Sequence, residues 1–494
     1  MLEEKSTTEE TPEDGVSRRE FLRIAGATGA AIGLASGLGG LVAACSRNQP
    51  ATTTSTPTTS VPTTTTTSPT VVPRTTTTSV APSTNVTSAA ARDIRVGLVS
   101  PLTGALASYA MPAKFLEAKW NEALAEGVVC GDGRRHNVVI EHVDTGSDPQ
   151  RAGTVASDLI RKSKADVILV SFGPDTVVPV ATVCETAGTP MIASFVQWQP
   201  FFFGRQKTPD PKAGFKWTYA HALGLEQIGA SFVDMWNQIL TNRTAGFFFA
   251  NDDDGAAWAN KDTGLPPTVT AAGYKIVDPG LYPVPTEDLK DFISAYQKDA
   301  CEIVVGRATA PGFVNFWKQA IQLGYRPKFV TVSEALLFPE TLATIGDAAD
   351  GLTVEYMWGS HWPFKSSLTG ETCQQLADDY ENRTGNQWTA LIGAYDRMEW
   401  LVDALKRTDD IESKDKLLAA IASTKLDTML GPIDFTAPIK MGTLRPVENV
   451  CMPPVGGGQW VTGADHPFEI VQVGNVWSQQ CQIQAKVKEM AYTA

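Results

Sequence analysis

Two charged residues close β-branched runs in this chain. Phe329-Val330-Thr331-Val332 leads into Ser333-Glu334, and Glu302-Ile303-Val304-Val305-Gly306 leads into Arg307. Each run reads as a buried parallel strand, and open parallel sheets take ligands outside the carboxyl ends of their strands. A carboxylate in that position can hold an ammonium by charge-assisted hydrogen bonds, whereas a guanidinium suits an anion. The plainer alternatives are an exposed or helix-capping carboxylate for Glu334 and a surface ion pair for Arg307. Asp252-Asp253-Asp254 follows an apolar run, Ala245–Ala250, that also reads as a strand. It fails the calcium-loop pattern because Ala250 and Lys261 stand where carboxylates belong, so it reads as a solvated acidic loop from which Asp254 can reach a ligand. Trp198 follows another strand end and suits an apolar or aromatic ligand body. Other aromatics crowd the loops, among them Phe201-Phe202-Phe203, Trp217, Trp258, Trp358 and Trp362; core or hinge packing is the ordinary reading for each. No G-x-S-x-G elbow, Walker loop or H-E-x-x-H helix is present, and the five histidines are scattered, so no catalytic residue, metal or cofactor is assigned.

These residues need elements that hold them. The stretch Asp166–Ser194 is a complete βαβ unit. Asp166-Val167-Ile168-Leu169-Val170 is a strand, Ser171–Thr176 a turn, Val177, Val180, Ala181 and Cys184 recur at helical spacing, Gly188 is a helix stop, and Pro190–Ala193 opens the next strand. The helix aims free backbone N–H groups at the space outside Ser171–Thr176 and Ser194–Trp198, a setting for a carboxylate. Upstream, Ile94–Val99 and Asn137–Val143 read as strands. Met111–Leu124 and the segment from Asp148-Pro149 read as helices. After a connector at Gly214–Ala220 the pattern restarts. Helices at Leu225–Leu240, Leu289–Gln297 and Pro311–Leu323 alternate with strands at Ala245–Ala250, Lys275–Val277, Glu302–Gly306 and Phe329–Val332. The class is α/β with parallel sheets in two lobes.

The flanks speak to compartment. Ser17-Arg18-Arg19-Glu20-Phe21-Leu22-Arg23 is close to a twin-arginine pattern, and a Gly/Ala-diluted apolar run ends in Val42-Ala43-Ala44-Cys45, a lipobox-like site. Residues 1–45 therefore read as an export signal with lipidation at Cys45, and residues 46–92, rich in Thr, Ser and Pro, as a disordered stalk. A membrane-spanning helix is the competing reading of the first segment. The formal charge of −13 and the lack of a basic stripe past the N-terminus exclude a nucleic-acid partner. Six cysteines follow Cys45. In an exported protein they can pair, and Cys451 with Cys481 is the first pair to expect; buried thiols are the alternative.

Several stretches, in order, carry a resemblance: RVGLVSPLTGALASYA, SDPQRAGTVASDLI, ADVILVSFGPDTVVPVATVCETAGTPMIAS, AIQLGYRPKFV, IGDAADGL and GPIDFTAP. From Ile94 to Trp477 the chain resembles the type I periplasmic binding proteins, and among them the Leu/Ile/Val-binding family of ABC-transporter substrate-binding proteins. The resemblance implies two lobes joined by three hinge crossings, at Trp217–Tyr219, Val354–Tyr356 and Gly431–Ile433. Lobe one is then 93–218 plus 356–431, and lobe two 219–355 plus 432–490. It implies a ligand site built from Ser100 in the opening loop, Asp175 and Thr176 as N–H donors beside Pro174, Val196 and Gln197 where the family carries Ala-Thr, and Asp254, Arg307 and Thr309 in lobe two. Glu334 falls where the family places the acidic partner of an ammonium, and Leu225 or Glu226 where it has an Asp past the first hinge. The function implied is capture of a small amino-acid-like or related carboxylate and its delivery to an ABC permease, by a monomer held at the outer face of the membrane. A sensor docking on a signalling receptor, or an interaction protein without ligand, are the alternatives.

Overall fold

The computed structural model describes residues 91–208, 210, 213–436, 439 and 447–492. The expected export signal, Cys45 and all of the stalk but its last two residues lie outside them. Among the described residues no helix is long and apolar enough to cross a membrane.

Two separate sheets organise the chain. The first joins β1 (Ile94–Ser100), β2 (Val138–Asp144), β3 (Val167–Ser171), β4 (Met191–Gln197) and β5 (Thr218–Leu223) with the short strand Val450–Cys451. Its order is Val450–Cys451, β5, β4, β3, β1, β2, and every pairing is parallel. The β3 run VILVS is buried at every position, as a strand covered by helices on both faces must be. Helices α1 (Ala113–Ala123), α2 (Pro149–Arg161) and α3 (Pro174–Ala187) connect these strands. Their starts are written locally: Asp148 accepts a 2.6 Å hydrogen bond from the Arg151 N–H ahead of Pro149, and α3 opens on Pro174 and stops at Gly188, which is left-handed at φ +61°.

The second sheet contains β6 (Thr244–Ala250), β7 (Ile303–Ala308), β8 (Phe329–Glu334), β9 (Thr353–Tyr356), β10 (Val455–Thr462) and β11 (Phe468–Trp477), in that spatial order. It is parallel from β6 to β9 and antiparallel beyond. Lys275–Val277 and Leu281–Tyr282 pair on the outer side of β6. In both sheets the winding reverses, between β1 and β3 in the first and between β6 and β7 in the second, so each has a crevice at its strand ends.

The chain passes between the sheets at places that differ from two of the three expected. Gly214–Ala220, taken for a connector, runs into a strand. Thr218–Leu223 pairs with β4, so the crossing expected at Trp217–Tyr219 falls after Leu223, at the start of α5 (Leu225–Trp236). The second pass follows Tyr356, the end of β9. The third does not occur at Gly431–Ile433, which belongs to a local hairpin (Lys425–Thr428 with Gly431–Asp434). The chain first returns to sheet one as Val450–Cys451 beside β5 and leaves only before β10. The edge of sheet one is thus built from a distant segment that no local pattern announces.

The expected Cys451–Cys481 bond is absent. All six described cysteines are buried thiols, and burial raises the pKa of each. Cys451 lies beside Pro432 and receives the Asp434 N–H at 3.3 Å, while the backbone of Cys481 is tied to Ser478 and Asn475 past β11.

Candidate functional site

Strand ends from the two sheets meet around a small cavity of about 40 Å³. Sheet one supplies Gly173 and Pro174 after β3, Phe195, Val196 and Gln197 at the end of β4, and Leu223 at the end of β5. Tyr109 comes from the short turn after β1. Sheet two supplies Asp254, Arg307, Ser333, Glu334 and Glu355.

Arg307 is the centre of the polar half. Only 7% exposed, it spends all three guanidinium nitrogens on protein carboxylates. Nη1 donates to Asp252 at 2.6 and 2.5 Å, Nε stands 3.1 Å from Asp254, and Nη2 pairs with Glu334. Asp252 is fixed because it also caps α6 (Asp253–Trp258), accepting from the Gly255 N–H at 2.7 Å. Burial alone would lower the Arg307 pKa, but Asp254 and Glu334 reverse that and hold it well above its ordinary value. Glu355 adds a fourth carboxylate, its Oε1 accepting from Ser333 Oγ at 2.5 Å. Burial pushes Glu334 up to about 8 and Glu355 up to about 7, and raises Asp254.

The backbone at the site is bent out of common regions. Glu334 has φ +64° and ψ −69°, the geometry of a strained γ-turn. Phe195 has φ +52°, and the β4–β5 register slips between Ser194 and Gln197. That bulge turns Phe195, Val196 and Gln197 toward the cavity. Non-glycine residues at positive φ each cost about 1–3 kcal/mol and cluster at functional sites.

A second interlobe cavity of about 640 Å³ lies against the first, sharing Pro174 and Asp254. Asp175, Gln199, Phe203 and Lys207 face it from one side, and Asp253 and Asn260 from the other.

Of the residues singled out from sequence, Val196, Gln197, Asp254, Arg307 and Glu334 come together at the inner cavity, and Asp175 stands at the outer one. Four do not. Trp198 is 3% exposed and lines neither cavity; its indole donates to Glu226 at 2.9 Å, because α4 (Trp198–Phe203) turns it away from the cavities. Gln199 donates to the same carboxylate at 2.5 Å, so Glu226, at the start of α5, clasps α4. Thr176 faces inward on α3, and Thr309 caps α7 (Ala310–Gln322), accepting from the Gly312 N–H at 3.3 Å. Ser100 is fully buried at the end of β1 with an unpartnered hydroxyl, outside both cavities. The acidic loop is less solvated than expected, since Asp252 and Asp254 are both bound to Arg307. Trp258, Trp358, Trp362, Phe201 and Phe202 are core residues. Tyr109, Phe195 and Glu355 were missed. Glu355 sits in a strand too short to stand out, and Phe195 reaches the cavity only through its bulge.

A family model described as "Periplasmic binding protein" matches residues 93–445. A "Leu/Ile/Val-binding protein homolog 8" from Brucella abortus is 24% identical over 257 residues, 50% of this chain and 60% of that protein. "Glutamate receptor 1.1" from Arabidopsis thaliana is 31% identical over 104 residues, 21% of this chain and 12% of the receptor, so the chain spans less than two thirds of either relative. Among solved structures, an ABC transporter substrate-binding protein from Sphaerobacter thermophilus superposes with TM-score 0.62 at 18% identity, covering 78% of this chain and 98% of the other. A leucine-binding protein from Thermotoga maritima gives TM-score 0.60 at 17% identity, covering 77% and 99%. A solute-binding protein from Rhodopseudomonas palustris in complex with 3,4-dihydroxybenzoic acid gives TM-score 0.60 at 17% identity, covering 78% and 99%.

Proposed function

Because the chain belongs to the periplasmic binding protein family, whose structural neighbours here are substrate-binding proteins rather than enzymes, we propose that it is the extracytoplasmic substrate-binding component of an ABC importer. It captures a small amino-acid-like or related solute between its two lobes and presents the closed form to a permease. Lipidation at Cys45 would tether a monomer to the outer face of the membrane, with the Thr/Ser/Pro-rich stretch as its stalk.

The observation that carries this reading is the Arg307 cluster. A buried guanidinium, two buried carboxylates (Glu334 and Glu355) and two partly buried ones (Asp252 and Asp254) gather at strand ends where two sheets face each other. Burying so many charges is costly, and a fold needs no such cluster for stability. Among the described residues no group of His, Cys, Asp and Glu could hold a metal ion, and recognition of a charged small molecule suits the cluster. The cavity is smaller than the roughly 300 Å³ of an ordinary ligand site, so the lobes must part to admit a solute, as a hinged trap requires.

The test is thermal unfolding of the full chain against amino acids, aromatic carboxylates, amides, urea, polyamines and small peptides. A solute at a hundredfold its Kd stabilises by about 2.7 kcal/mol. Stabilisation by one chemical class supports the proposal; a flat response to every compound sinks it.

A further inference from the structure

The hydrogen-bonding inventory of the inner cavity is lopsided, and the imbalance names a ligand class. Four buried acceptor oxygens of its lining receive no hydrogen bond: Glu355 Oε2, Asp254 Oδ1, Gln197 Oε1 and Glu334 Oε2, the last ion-paired with Arg307. Glu355 is 3% exposed and lines the cavity, so its free oxygen is an unanswered acceptor well inside the protein. Donors are scarce. All three nitrogens of Arg307 are ion-paired with protein carboxylates, although Nε, 3.1 Å from Asp254, makes no hydrogen bond. The Gly173 N–H, which a carboxylate could have used, donates instead to Phe195 O at 3.0 Å. Pro174, next in line, has no N–H. In the lining, unanswered buried acceptors thus outnumber unanswered buried donors by four to one.

The other walls agree. The end of sheet one brings Phe195 and Leu223, and two neighbouring turns bring Tyr109 and Leu391, against the acidic half. Aromatic rings facing carboxylates across a desolvated gap favour a cation with an apolar body.

Resting on the reading that this cleft is the ligand site, we propose that it selects a cationic amine, a solute held by its ammonium or guanidinium group with no requirement for a carboxylate, and that Glu355 is the residue that sets this preference. The ligand's N–H groups satisfy the open oxygens of Glu355 and Asp254, and its charge offsets the excess of carboxylates over Arg307. An α-carboxylate on the same ligand meets an acidic surface whose one guanidinium is already engaged.

The experiment is calorimetric titration of the full chain with amine and amino-acid pairs that differ only by the carboxyl group: agmatine and L-arginine, cadaverine and L-lysine, isopentylamine and L-leucine. Benzoate is the anionic control. In at least one pair the amine should bind tenfold or more tighter than its parent, and Glu355→Gln should weaken that amine at least tenfold with the melting temperature held. Should the variant fail to fold, the wild-type protein alone decides. Binding of the amine near pH 7 should release protons, read from the dependence of heat on buffer ionisation, because the cation draws Glu355 and Glu334 into their charged forms. Parents binding as tightly as the amines, or benzoate binding alone, would overturn the amine preference and leave the importer proposal standing. Silence of every compound here and in the wider panel would remove both.

Discussion

Replacing Arg307 with Met removes the one guanidinium on which Asp252, Asp254 and Glu334 converge. The three carboxylates do not lose equally. The Asp252 side chain is 35% exposed and can turn to water, but those of Asp254 and Glu334 are 15% and 11% exposed and cannot. Removing one partner of a buried ion pair costs about 3–5 kcal/mol, and at about 2–4 °C per kcal/mol the melting temperature should fall by roughly 6–20 °C at pH 8. The pH dependence is the sharper test. Glu334 and Glu355 have pKa values raised above those of the unfolded chain, to about 8 and about 7. Such groups give stability that is fully present below the unfolded value and lost as pH rises through the folded one. The contribution of these two groups is therefore lost between pH 5 and pH 8, while the partly buried His142 and His361, whose pKa values are lowered, act in the opposite direction over the lower part of that range. In the variant the carboxylates repel each other without a mediator, so the gap between variant and wild type should widen from pH 5 to pH 8. Circular dichroism melts at pH 5, 6.5 and 8 measure that gap. A loss under 2 °C at pH 8, or a larger loss at pH 5 than at pH 8, would refute the claim that Arg307 holds the acidic cluster together.

Three other perturbations follow from the same geometry. Glu334→Gln keeps the shape of the site but removes a charge, and should weaken an ammonium-bearing ligand by about 1.5–3 kcal/mol; unchanged affinity by calorimetry takes Glu334 out of the site. Glu226→Ala leaves the Trp198 indole and the Gln199 amide without their acceptor. It should lower unfolding stability by about 1.5–3 kcal/mol, and a neutral result in a denaturant melt would show that the clasp is idle. The six cysteines from Cys130 to Cys481 should be silent to a thiol reagent in the native protein and all react after unfolding without reductant, since each is a buried thiol; fewer than six would reveal a disulfide.

Much of the fold was legible because its signals are local. The β3 run is apolar throughout, Asp148-Pro149 and Pro174 mark helix starts, and Gly188 marks a stop. Strand-end positions identified Arg307 and Glu334 for the same reason. What escaped depends on distant partners. Thr218–Leu223 is a strand because β4 and Val450–Cys451 flank it, not because of its own composition. Trp198 looked like a cleft wall by position, but a six-residue helix begins on it and carries its indole to Glu226. Phe195 reaches the cavity through a bulge and a positive φ that a Phe does not advertise. Glu355 escaped because its strand, Thr353–Tyr356, is too short to stand out.

Every ionisable group of the polar cluster but the Tyr109 phenol belongs to sheet two: Asp252 and Asp254 follow β6, Arg307 lies in β7, Glu334 in β8 and Glu355 in β9. Sheet one answers with a phenol, a phenyl ring, an amide and aliphatic side chains, and with no charge at the inner cavity. Closing the lobes without a ligand therefore covers four carboxylates and one guanidinium with a largely apolar lid, and the raised pKa values of Glu334 and Glu355 record the cost of doing so. Opening returns those carboxylates to water. A cationic solute reverses the balance, because its charge is lacking only in the closed form, and a ligand shifts a conformational equilibrium by its differential affinity for the two states. The groups that recognise an amine are then the same groups that penalise an empty closed trap. Arg307 sets how large that penalty is: with it the closed form is reachable, and without it the carboxylates should hold the lobes apart until a cation arrives.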